Sequence, residues 1–114
     1  MNASRLYELC QQSMKLSQEA FEMGAYDAAY HLLVAALDSA KDLNDLGILL
    51  DIAHAARGQL AWIDTYEPDN KHSTRSASQQ GQSSVLKILA GRARLEGEIL
   101  ESKLEWQHPI LYPN

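Results

Sequence analysis

The side chains able to do chemistry in this 114-residue chain are few and scattered. Asp51, His54 and Arg57 recur every three residues, on one face of a helix, and with His31 they are the nearest approach to a polar site. A metal centre needs several imidazole, thiolate or carboxylate donors converging within about 2–2.6 Å of one ion. The chain has no His-x-x-x-His and no pair of segments with duplicated ligand spacing, so a solvated or ion-paired stripe is expected, with no metal and no cofactor. Nucleophilic catalysis requires a Ser, Cys or Thr beside a base in a concave site. Cys10 falls on an apolar helix face, where a small buried thiol is the ordinary outcome. Glu96 and Glu98 are a nominal carboxylate pair on a charged face, and Gly47, Gly58, Gly91 and Gly97 are single mid-helix glycines, unlike a phosphate-cradling loop. No residue is nominated as catalytic, and no enzyme is expected.

Composition narrows the classes further. Hydrophobic residues are 46% and charged residues 22%, as in an ordinary globular domain, and the length suits one domain, 1–114. Ten basic against fifteen acidic side chains leave a net charge of −5, which argues against nucleic acid, whose binding rests on clustered positive charge. The longest apolar stretch, Leu46 to Ile63, is broken by Asp51, His54, Arg57 and Gln59, so no membrane span is expected. Met1 to Arg5 runs directly into helix-like sequence without the apolar core of a signal peptide, and the lone Cys10 suits a reducing compartment, so a cytoplasmic location is expected.

The elements that must position these residues read as about four helices and no strand, an all-α small bundle. The first is expected over 4–23, where Leu6, Leu9, Cys10, Ser13, Leu16, Ser17 and Ala20 recur at spacings of three and four. Ser4 reads as its N-cap and Gly24 as its stop. Tyr7, Met14 and Phe21 form a second stripe at seven-residue spacing. The second helix is expected over 25–42, with Tyr26, Ala29, Leu33, Ala36, Leu37 and Ala40 on its face. The third, over 45–64, is capped by Asn44 or Asp45 and apolar nearly all round, which demands cover on several sides. The fourth is expected over 84–106, with Arg92–Glu96 and Arg94–Glu98 as i,i+4 pairs on its exposed face. Between them, residues 65–84 hold seven Ser or Thr, with only Tyr66 and Ala77 apolar, and 65–83 reads as a mobile linker: a polar loop at about 65–82. Pro109 ends the last helix before an apolar tail, Ile110 to Pro113.

The turn between the first two helices is the most informative stretch. Gly24-Ala25-Tyr26-Asp27-Ala28-Ala29, followed by Leu33, Ala36 and Leu37, resembles the Gly-x-Tyr-Asp turn and second helix of a tetratricopeptide repeat. Leu16 and Ser17 fall in register upstream, while Ser13, Ala20 and Lys41 stand where the family carries Trp, Tyr and Pro. The register covers about residues 10–43, one repeat of helix, turn and helix. The resemblance implies an antiparallel helical hairpin in which the first helix lines a groove for extended peptides. Carried onto this chain, the groove positions are Gln11, Met14, Gln18, Phe21 and Glu22. About three repeats make a stable solenoid, so one copy implies cover from the other helices or a second subunit.

The expected function is therefore a small protein–protein interaction module, adaptor or regulator, that binds an unidentified protein partner and forms a homodimer. Exchange of the last helix across the linker is one form of that dimer. The alternative is a helical bundle that holds a small ligand or metal ion near His31, Asp51 and His54.

Overall fold

The computed structural model describes residues 2–107, so His108 and the apolar tail lie outside the described residues. It is all-α, with five helices: α1 (Ala3–Glu22), α2 (Tyr26–Leu43), α3 (Leu46–Tyr66), α4 (Thr74–Gln79) and α5 (Val85–Gln107). Local chemistry sets each boundary. The Asn2 side chain, two residues earlier than the expected Ser4, caps α1 by accepting from the Ser4 and Arg5 amides. Gly24, at φ +79°, ends α1 in a Schellman turn, with the Ala25 amide donating to the Ala20 carbonyl and the Gly24 amide to that of Phe21. Asn44 turns the chain out of α2 in the left-handed region, and the Asp45 carboxylate caps α3 at the Ile48 amide.

The principal contacts are α1 against α2 and α3 against α5, with α2 also meeting α3 and, more narrowly, α5. The α1–α2 interface rests on small residues. The Cys10 thiol donates to the Ala36 carbonyl at 3.3 Å, and seven residues further on the Ser17 hydroxyl donates to the Ala29 carbonyl at 2.7 Å, seven residues back along α2. Such bonds from side chain to helix backbone require close approach, which Ala29 and Ala36 permit. The inward face of α1 is the one expected at Cys10, Ser13, Ser17 and Ala20, but it is turned toward Phe21 and away from Leu9 and Leu16. Cys10, Ser17 and Phe21 are buried, while Leu9 and Leu16 point to solvent.

The apolar girth of α3 finds its cover within the chain. Ile48, Leu49, Ile52, Ala53, Ala56 and Ile63 join one core with Leu33 and Leu37 of α2 and Leu86, Leu89 and Ala93 of α5. At Gly97 an added methyl would sit 3.2 Å from a Leu46 side-chain carbon, so this glycine lets α5 close onto α3.

Within the segment expected as a linker the chain forms turns and a short helix, α4. Residues 67–84 form a strap of turns around α4 that connects α3 to α5, which packs on α3. Capping, not apolar burial, orders the strap. Ser73 caps α4 and donates to the Pro68 carbonyl, and the Asp64 carboxylate accepts from the Thr74 amide and hydroxyl. Ser84 donates to the His72 carbonyl and accepts from the Leu86 amide.

Candidate functional site

Where α1 turns into α2, the chain gathers four aromatic rings. Tyr26 opens α2 with its ring centroid 4.9 Å from that of Phe21, while Trp62 meets Phe21 edge-on at 5.6 Å and Tyr66 at 5.1 Å. Antiparallel helix order produces this gathering, since the end of α1, the start of α2 and the end of α3 share one pole of the bundle. Phe21, Tyr26 and Trp62 wall an open pocket of about 520 Å³, with Gln18, Glu22 and Met23 at its rim. Phe21 is 9% exposed and forms the base, Trp62 is 41% exposed, and Met23 is 83% exposed. The Gln18 amide donates to the Glu22 carboxylate at 3.2 Å. The Tyr26 hydroxyl donates to the Glu67 carboxylate; this bond, aided by burial and the Glu67 charge, pushes the phenol up to about 12.

Of the five groove positions, Gln18, Phe21 and Glu22 meet at this pocket. Gln11 and Met14 lie further along α1, where Gln11 donates to the Tyr7 hydroxyl and Met14 is half-buried against the core. Trp62 and Tyr66 escaped sequence reasoning. Their four-residue spacing at the end of α3, opposite the expected hairpin turn, was the available signal.

A second cluster ties the strap to α2. Asp27, in the first turn of α2, accepts from the Lys71 ammonium at 2.8 Å and lies 2.6 Å from Nε2 of the buried His72. The Lys71 and His72 hydrogen bonds hold the Asp27 carboxyl below its ordinary range. This His–Asp pair lacks a free nucleophile: the nearby Ser73 and Ser84 hydroxyls are committed to backbone carbonyls. Cys10 is no better placed, because burial first and the Asp45 charge second push its buried thiol up. His54 lies 3.2 Å from the Arg57 guanidinium, and the His31 ring rests near Tyr30. Among the described residues, no three His, Cys, Asp or Glu side chains converge as a metal site.

Two outer helices carry exposed apolar rows. On α5, Ile88, Leu95, Ile99 and Trp106 are exposed along one face, and on α1 the corresponding row is Leu9, Leu16 and Met23. Comparison with known protein families, with curated proteins and with solved structures finds no match. Among the described residues, no helix is long and apolar enough to cross a membrane.

Proposed function

We propose that this chain is a non-enzymatic, cytoplasmic protein–protein interaction module, adaptor or regulator, built on a tetratricopeptide-like hairpin and working as a homodimer. The observation that carries the reading is the exposed row on α5. Ile88, Leu95, Ile99 and Trp106 recur at spacings of seven, four and seven, the pattern of a two-helix seam, and Leu95 is 54% exposed. A solvated face gains nothing from such a row.

The charges beside it favour a second copy of the chain as the occupant. The first half of α5 carries Lys87, Arg92 and Arg94 with a single carboxylate, Glu96, which faces Lys41 of α2, and the second half carries Glu98, Glu101 and Glu105 with a single cation, Lys103. An antiparallel pairing of two copies about Gly97 sets Leu95 against Ile99 and Ile88 against Trp106 of the second copy. It also lays each basic half beside an acidic one. The contact is isologous, the commonest kind in dimers. A parallel pairing would place like charges together.

Sedimentation velocity over a concentration series tests this. The wild type is expected to sediment as a dimer at micromolar concentration, and Leu95→Glu or Ile99→Glu as a folded monomer. Leu16→Glu, on α1, should remain dimeric. A wild-type monomer at about 100 μM, or a dimer that survives Leu95→Glu, sinks the proposal.

A further inference from the structure

We infer that the aromatic pocket at the α1–α2 turn is a binding site for a cationic side chain, arginine above all, presented by a protein segment. The walls supply π-faces and the rim supplies negative charge. A guanidinium within about 6 Å of an aromatic ring centroid is drawn to the negative face of the ring, and Trp is the strongest such partner. Here Trp62 and Tyr26 are in tilted ring contact, 6.2 Å apart at 57°, and both line the pocket, so a planar group entering it lies against the aromatic wall that they form together. The volume of about 520 Å³ is in the range of small-ligand clefts and exceeds what one side chain fills, which leaves room for the flanking backbone of a peptide.

Charge decides between a cation and a neutral apolar group. Glu22 lies on the rim with its carboxylate held by Gln18, and Glu67 stands behind Tyr26, bonded to its hydroxyl. Lys71, on the strap side of the turn, is engaged by Asp27 and does not line this pocket. The net charge of −5 draws basic partners toward the molecule as a whole. Arginine fits better than lysine because its planar group stacks on an indole and also donates several hydrogen bonds in a fork, matching one carboxylate beside one ring. Met23, fully out in solvent beside the opening, adds an adaptable apolar contact for the stem of the entering side chain. The site lies on α1, α2 and α3 and shares no residue with the α5 seam, so either proposal can fail alone.

The test follows the Trp62 indole N–H by NMR in the full chain, assigned with Trp106→Phe. The probes are the blocked tripeptide Gly-Arg-Gly and its citrulline counterpart, equal in shape but uncharged. The arginine peptide is expected to shift the Trp62 signal saturably at millimolar concentration. Citrulline in the peptide, or Glu22→Gln in the protein, should weaken binding about fivefold. Glu22 is exposed, so its replacement leaves the fold intact, as the unchanged dispersion of the other signals would verify. Equal binding of both peptides would show an apolar pocket indifferent to charge and overturn the inference. Absence of any shift at about 20 mM peptide, some fivefold above the weakest affinity expected of such a contact, would do the same.

Discussion

Gln59 is 4% exposed between α3 and α1, and burying its amide is tolerable only while Ser17 accepts from it. The bond is 3.1 Å long, and the Ser17 hydroxyl in turn donates to the Ala29 carbonyl, so one small side chain serves three helices. Ser17→Ala should therefore cost about 1–3 kcal/mol, mostly the desolvation of an amide left without its partner. Adding Gln59→Leu to that variant removes the stranded group, and the double variant should be more stable than the two single costs predict. Urea denaturation of the four proteins reads this directly; strictly additive costs would mean that the amide does not depend on Ser17. The same residues show what could be read in advance. Cys10 and Ser17 fall on the inward face that the three- and four-residue spacing predicts, but the same spacing adds Leu9 and Leu16, which are exposed. Size decides the face, since only small side chains reach the α2 backbone at this separation. Gln59 carried no signal by itself, because its value depends on a partner 42 residues away.

The four long helices were legible because each combines a periodic apolar face with a cap or a turn residue, and Gly24 and Asp45 stand at their boundaries. The strap was not, since its order comes from Ser, Thr and Asp side chains serving backbone groups, a composition that also describes disordered chain. Asp27 is the tie most open to test. The Lys71 and His72 bonds favour its charged form, so its folded pKa lies below the ordinary value of 3.8. Such a group contributes stability that is fully present above that value and is lost as pH falls through the lower, folded one. Asp27→Asn should loosen the strap at neutral pH, seen as faster amide exchange over 73–81 and faster tryptic cleavage at Lys71 and Arg75, with α3 and α5 unaffected. In the wild type, acidification below pH 3.8 should release the same segment. A strap equally protected in Asp27→Asn would mean that the Ser73, Ser84 and Asp64 bonds hold it without help. The effect is one of local opening, because Asp27 is largely solvated and its pairs are screened.

Taken whole, the molecule is longer and thinner than its length requires. Its radius of gyration is 16.3 Å and its extents are 58 × 32 × 18 Å, where a compact domain of this size has a radius near ~13 Å. A thin body leaves outer helices half covered, and α5 is the extreme case, with one face on α3 and the other carrying Ile88, Leu95, Ile99 and Trp106 in water. On the proposed dimer, pairing with a second copy would remove that surface from solvent and couple folding to association. A partner that binds only the folded chain stabilises it by mass action, so above the dissociation constant each tenfold rise in protein concentration should add about 1.4 kcal/mol per dimer, or about 0.7 kcal/mol per chain, to the apparent unfolding free energy. The thermal midpoint should climb accordingly between about 1 and 100 μM, and calorimetry or circular dichroism melts at several concentrations would follow it. Leu95→Glu should flatten that dependence and hold the midpoint at its dilute value, whereas Leu16→Glu should preserve the slope. A midpoint independent of concentration in the wild type would mean that α5 faces water by itself, and the apolar row would then need a different protein as its cover.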